Sequence, residues 1–189
     1  MNRNYRPHVL GIDDGPFDKS VDANVPVVGV MMEGADLVEA VAVTKFPVDG
    51  ADAAEYLADW VQGLRFASAL HAVVLGGITI AGLGVVDIAL LARRIGLPVA
   101  IVNRRFPENE PLIQALLAAG LAQRIPIVEK SPAAWRLSDG VYVTHSGAQP
   151  DEIARILDAV RNKSQLPEPL RLAHLIGSAM VKGQSRGRP

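Results

Sequence analysis

Val9-Leu10-Gly11-Ile12-Asp13-Asp14-Gly15-Pro16 is a short apolar run that stops abruptly at two carboxylates and a Gly-Pro turn. Apolar residues bounded in this way read as a buried strand that delivers Asp13 and Asp14 to its carboxyl end. Working outward, Val25 to Met32 and Leu37 to Val43 are two further strand-like runs, separated by Glu33-Gly34-Ala35-Asp36. The pair predicts a β-hairpin with a glycine-containing turn. After Asp49-Gly50 the period changes, because Leu57, Trp60, Val61 and Leu64 fall at helical spacing within Ala51 to Phe66.

From there helices and strands alternate. His71 to Leu75 is a short buried strand, Gly76 to Gly84 a glycine-rich loop, and Leu83 to Ile95 a helix with Arg93 and Arg94 in its last turn and Gly96 as C-cap. Pro98 to Val102 reads as another strand, Glu110 to Ala119 as a helix, Ile125 to Asp139 as irregular, and Val141 to Thr144 as a strand. Pro150 to Arg161 carries Ile153, Ile156, Leu157 and Val160 on one helical face, and Pro167 to Val181 holds the last helix. The order predicts an α/β domain with a mixed sheet of five to six strands flanked by helices. Its first three strands are expected to be antiparallel and the later ones parallel to the first. No repeat or linker divides the chain, so one domain over residues 7–181 is expected, with 182–189 as a flexible basic tail.

Composition narrows the function classes. Hydrophobic residues are 49% of the 189 and aromatics only 5%, so the core is aliphatic, which suits strands sandwiched between helices. A formal net charge of −1 provides no global basic field, and nucleic-acid binding would need a local patch. The absence of cysteine excludes a disulfide framework and thiolate metal sites, and makes a reducing cytoplasm the expected compartment. No apolar run approaches the ~20 residues that span a bilayer, and no signal-peptide core follows Met1 to His8, so no membrane association is expected.

A carboxylate at the carboxyl end of a buried strand faces the crevice where α/β sheets place ligands, and hard divalent cations take such oxygens. Asp13 and Asp14 are therefore candidates for catalysis, and Asp13 for metal binding. The competing reading is an Asx turn, with Asp14 bonding the backbone ahead of Gly15-Pro16. Asp87, one helical turn past the glycine loop, is a further candidate metal ligand that faces either crevice or solvent. Asp49, Asp52 and Glu55 cluster at a helix start, where capping and the helix dipole account for them.

In Gly76 to Gly84, backbone N–H groups near a helix start suit an anion, which makes Gly77 a candidate substrate contact; close strand–helix packing explains the glycines equally well. Neither the P-loop nor the dinucleotide fingerprint is present. Arg104-Arg105 follow a strand at the same sheet edge as Asp13, suited to gripping phosphate or to structural ion pairs. His145-Ser146 lacks the G-x-S-x-G elbow of a serine hydrolase. Finally, Leu166-Pro167-Glu168-Pro169-Leu170-Arg171-Leu172-Ala173-His174-Leu175 fixes the chain with two prolines before a helix. Its first turns carry Arg171, a candidate substrate contact, and His174, which composition and period alone read as a packed, hydrogen-bonded helix-start histidine.

That last string resembles the C-terminal signature of the endonuclease V family. Gly11-Ile12-Asp13 resembles the family's first-strand metal-binding segment, Val74-Leu75-Gly76-Gly77 stands where the family carries Asp-Gly, and Tyr142-Val143-Thr144 with Gly147 is similar to a segment before its penultimate helix. The closer resemblance is to a related family, the domain of unknown function numbered ninety-nine. It rests on Gly11 to Gly15, on Gly77 to Asp87 and on Pro167 to Leu175, and spans about Pro7 to Val181.

The resemblance implies a ribonuclease H-like three-layer fold and a carboxylate site for Mg²⁺ or Mn²⁺ that activates water against a phosphodiester of DNA or RNA. Asp13 matches the first ligand, Gly76 replaces the fourth-strand aspartate, Arg104 lies near an active-site lysine, and His174 takes the place of an aspartate or histidine, which makes it a candidate second ligand or catalytic acid–base group. Endonuclease V's further glutamate and its strand-separating segment have no match. A metal-dependent phosphodiesterase with an incomplete site is thus the leading expectation. A nucleic-acid or nucleotide-binding module without catalysis comes second, and a self-associating scaffold, a homo-oligomer, third.

Overall fold

The computed structural model describes residues 5–137 and 140–185. Its first strand, β1 (His8–Asp14), pairs antiparallel with β2 (Asn24–Glu33), which pairs antiparallel with β3 (Leu37–Pro47). These are the expected strand and hairpin. The helix α1 (Ala53–Gln62) leads to β4 (Ala72–Leu75), which lies parallel to β1. A small separate hairpin, β5 (Thr79–Ile80) and β6 (Gly84–Val85), precedes α2 (Ile88–Ile95) and β7 (Val99–Asn103), the latter parallel to β4. Then follow α3 (Asn109–Ala118), α4 (Ile125–Lys130), β8 (Trp135–Arg136), β9 (Tyr142–Ser146), α5 (Pro150–Ala159) and α6 (Glu168–Lys182).

The main sheet has seven strands in the order β3-β2-β1-β4-β7-β9-β8. This exceeds the five to six expected, and β9 runs antiparallel to β7 instead of parallel to β1. The reason lies in the connection. A parallel neighbour needs a crossover that returns the chain to the starting end of the sheet. Here α3 and α4 leave the chain at the carboxyl end of β7, so Tyr142 enters opposite Asn103 and β9 runs back to Ser146 opposite Val99. The expected irregular stretch holds α4 and β8, while Ser138 and Asp139 within it lie outside the described residues, as do 186–189 of the expected tail.

Alternation along β1 assigns the layers. Leu10 and Ile12 join Leu57 and Val61 of α1 and Ile88 and Leu91 of α2 in one core. Val9 turns to the other face, with Val74, Val102, Val143, and Ile153, Ile156 and Leu157 of α5. On that second face Val28, Val30 and Met32 of β2 pack under Leu172, Ala173 and Ile176 of α6. A sheet buried between two helical layers explains why its central strands are continuous Val, Ile and Leu. Among the described residues no helix is long and apolar enough to cross a membrane.

At one point the layers meet backbone to backbone. A Cβ added to Gly11 would lie 2.2 Å from Leu170 N and 2.3 Å from the Pro169 carbonyl carbon. Four residues on, a Cβ at Gly15 would lie 3.0 Å from Gly177 O. The strand advances about 13 Å between these glycines and the helix about 10 Å between Leu170 and Gly177. The two elements therefore run side by side, and the residues between the contacts, Asp13 and His174, are forced together. Gly11→Ala is expected to lose about 3 kcal/mol, the upper part of the overpacking range, because main-chain atoms have nowhere to yield. Urea denaturation measures it; a loss below ~1 kcal/mol would mean that α6 lifts off β1 without cost.

Candidate active site

His174 Nδ1–H donates to Asp13 Oδ2 at 2.9 Å. The aspartate side chain is 20% exposed and the imidazole 57%, so the pair sits at a mouth rather than in the core. Asp13 lines a depression of about 400 Å³ together with Gly76 just after β4, Asn103 at the end of β7 and Arg104 after it, and Arg171 and His174 from α6. These are the carboxyl ends of the parallel strands, the position α/β sheets reserve for ligands.

The Pro-Glu-Pro string acquires a physical role here. Glu168, only 4% exposed, opens α6. One carboxylate oxygen accepts the Lys163 backbone N–H at 3.0 Å, and the other accepts both Nε (2.8 Å) and a terminal guanidinium nitrogen (2.6 Å) of Arg171. A buried glutamate thus fixes the preceding loop and holds the guanidinium beside His174. Fork-like pairing of this kind sets orientation as well as charge.

Asp14 turns to the other face of the sheet, where its Oδ2 accepts the Ala81 N–H at 2.7 Å. It ties β1 to the turn of the β5–β6 hairpin, in which Ala81 and Gly82 have φ of +50° and +95°. The helix expected from Leu83 begins instead at Ile88, because the positive-φ turn at Ala81-Gly82 folds that segment into a hairpin. Asp14 still borders a shallow depression with Asp13 and His174, and Gly77 lines a small cleft with both aspartates.

Other candidates fall elsewhere. Asp87 is the N-cap of α2, accepting the Leu90 N–H at 2.8 Å, and lines none of the depressions that Asp13 borders. This corrects its expected place beside Asp13; a carboxylate three residues before a free helix N–H finds that donor first. Arg105 is exposed and also lines none of them, so Arg104 is the member of the pair at the site. Asp52 stands at the N-cap of α1 without a side-chain cap bond, contrary to the capping expected. Asp49 is a brace: it accepts the Leu83 N–H at 2.7 Å and pairs with Lys19 at 2.9 Å. Arg124, which no pattern singled out, is buried and donates to Leu83 O (2.6 Å) and Asp49 O (2.8 Å), locking the hairpin that Asp14 also holds.

Burial pushes the Asp13 carboxyl above the ordinary aspartate range and the neighbouring Asp14 charge adds to it, while His174 pulls it back. Burial likewise raises Asp14, against the Ala81 N–H. Both effects favour a cation at this edge. A Cβ at Gly76 would lie 3.3 Å from Asp13 Oδ1, so a carboxylate at that position would stand directly against Asp13. With glycine there, the donors fit one hard cation held chiefly by Asp13 and completed by water and ligand oxygens, not a preformed carboxylate cage. Among the described residues three metal-capable groups converge at His8, Glu33 and Glu39. That is the opposite end of β1, where Arg6 already bonds Glu33 and His8 pairs with Glu39.

The sequence profile of the family described as endonuclease dU matches residues 6–181. A UPF0215 protein of Methanothermobacter thermautotrophicus is 35% identical over 98% of this chain and 96% of its own length. The crystal structure of a protein of unknown function from Archaeoglobus fulgidus superposes with TM-score 0.86 at 33% identity, over 94% of this chain and all of that one. Endonuclease V of Ciona intestinalis, in complex with a DNA containing an inosine followed by a ribo-adenosine, superposes with TM-score 0.57 at 12% identity, over 89% and 82% of the two chains. The ribonuclease H-like fold is shared with it.

Two outcomes follow from the geometry. A carboxyl that titrates higher in the folded than in the unfolded chain makes the native state bind more protons, so its burden is absent below about pH 4 and grows as pH rises through the folded titration. In chelator-treated protein, Asp13→Asn is therefore expected to raise the melting temperature at pH 7, with the gain vanishing towards pH 4; thermal melts across that range would expose an opposite trend. Glu168→Ala is expected to lose about 3 kcal/mol, as when one member of a buried pair is removed. Chemical denaturation reads this, and a neutral result would refute the clamp.

Proposed function

The chain belongs to the endonuclease dU family, and on that premise we propose that it is a divalent-metal-dependent phosphodiester hydrolase acting on DNA or RNA in the cytoplasm. The observation that carries this reading is the Asp13–His174 pair flanked by Arg104 and Arg171 in one depression at the carboxyl ends of β1, β4 and β7. The family's name makes a deoxyuridine-containing strand the first substrate to test, and inosine-containing DNA the second.

In this reading Arg104 and Arg171 hold the non-bridging oxygens of the phosphate, with Arg171 kept in place by Glu168. Asp13, with Asp14 beside it, would hold the Mg²⁺ or Mn²⁺, which would supply an activated water and charge neutralisation there. The hydrogen bond from His174 Nδ1 to Asp13 fixes the imidazole and leaves Nε2 to pass a proton to the leaving oxygen. Gly77 backs the aspartates, and Arg105 extends the positive edge along the strand's flank.

Gly76 favours a second reading, a module that binds nucleic acid or nucleotide without cleaving it, since it withholds the carboxylate that would complete a cation pair. One set of assays separates the two. Uracil-containing, inosine-containing and plain strands of DNA and RNA are incubated with protein and Mg²⁺ or Mn²⁺. Cleavage is expected, abolished by Asp13→Ala and lowered about 100-fold or more by His174→Ala, the range for a lost proton donor. Gly76→Asp is expected to tighten Mn²⁺ binding in calorimetry. If no strand is cut, yet wild-type protein binds with salt-sensitive affinity that Arg171→Ala weakens, the binding module replaces the hydrolase.

A further inference from the structure

The helix α6 outruns the strand it lies on. Gly177 already meets Gly15, the first residue beyond β1, so Ser178 to Lys182 continue past the carboxyl end of the sheet. This overhang walls the shallow depression next to the site, which shares Asp13 and His174 with the first one and adds Phe17, Ser178 and Lys182. The two depressions meet at the Asp13–His174 pair and make one groove. Along α6, Arg171, His174, Ser178 and Lys182 recur at steps of three and four residues, which sets them on one face of the helix, along the groove.

Charge follows the same line. Arg104 lines the first depression and Lys182 the second, and among the described residues neither forms an ion pair or a side-chain hydrogen bond. Arg171 completes the set, held by Glu168. The carboxylates lining the groove are Asp13 and Asp14, where the two depressions meet and where the cation of the proposed site would sit. A groove with cations at both flanks and its carboxylates between them suits a chain of phosphates rather than a single one. A lysine in the last turn of a helix also complements the helix dipole, which accounts for its charge but not for its place in the groove.

We propose that α6 is a track for the backbone of the substrate strand. Beyond the phosphate held by Arg104 and Arg171, the strand lies along the helix past His174, and Lys182 holds a flanking phosphate. From His174 to Lys182 the helix rises about 12 Å, or roughly three to four phosphates at ~3.4 Å each in a stacked strand. The lysine ammonium is a point charge on a flexible stem, so it grips phosphate without regard to the base attached. The inference rests on the reading that the Asp13 edge takes nucleic acid, and it makes the ligand a polymer: a mononucleotide fills the first depression and does not reach Lys182.

Salt-dependent binding of a single strand of about 12 nucleotides, more than the ~12 Å track requires at ~3.4 Å per phosphate, tests this. The titrations use fluorescence anisotropy and the Asp13→Asn protein, in which the proposed cleavage is lost, without divalent cations. Each phosphate contact adds ~0.7 to the slope of log affinity against log salt for a single strand. Lys182→Ala is expected to lower that slope by about 0.7, Arg104→Ala by a similar amount, and the two together by about 1.4, since both contacts hold one strand at once. Lys182→Arg is expected to keep the full slope. If Lys182 serves only the helix dipole, Lys182→Ala lowers the melting temperature and leaves the slope unchanged. A strand that binds with a slope indifferent to Lys182→Ala therefore overturns the track and leaves the reading of the Asp13 site standing. A strand that does not bind at any salt concentration overturns both.

Discussion

The structure depends on one close approach, the lying of α6 in backbone contact along β1. Gly11 and Gly15 on the strand, and Gly177 on the helix, remove the side chains that would hold the two elements a full packing distance apart. Through that seam an element at the end of the chain is placed against one at its beginning, 161 positions apart for Asp13 and His174. The site exists because of this contact: a helix standing off by the width of a methyl group would leave imidazole and carboxylate out of hydrogen-bond range. Glu168 completes the arrangement by anchoring the first turn of α6 and its incoming loop at the same point.

The same economy explains the electrostatics. Asp13 and Asp14 are consecutive, but a strand sends them to opposite faces, so they share the sheet edge and two of its depressions while Asp13 alone lines the one that holds Arg104 and Arg171. Each is partly desolvated, and each side chain finds a compensating contact, His174 for one and the Ala81 N–H for the other. The hairpin bearing Ala81 is itself braced by Asp49 and by buried Arg124, so the edge around the aspartates is rigid. A rigid edge with two carboxylates raised by burial is a place that gains from an incoming positive charge. Gly76, directly against Asp13, adds no third carboxylate to it.

Much of this was legible in the chain. The run Val9 to Asp14, the hairpin after it and the alternation of buried strands with amphipathic helices are local patterns, and each became the element expected. Sheet direction at β9 was not legible, because it depends on which end of β7 the chain leaves, and α3 and α4 say nothing about that by their own periodicity. Asp87 looked like a ligand by position and became a cap, since a free helix N–H lies within its own next turn. Asp49 looked like a cap and became a brace, because its partners Leu83 and Lys19 are distant in sequence. Arg124 carried no signal at all; only the carbonyls it bonds identify it.

By itself the sequence determined the α/β class, the strand that ends in Asp13 and the order of motifs along the chain. These follow from residue type and spacing, which act over a few positions. The tertiary structure alone decided which charged groups meet: His174 with Asp13, Glu168 with Arg171, Arg104 at the depression and Arg105 away from it. Among the described residues it also left β3 as a long edge strand. Such outcomes depend on how closely two layers approach and which end of a strand a connection leaves from, and no local pattern carries that information.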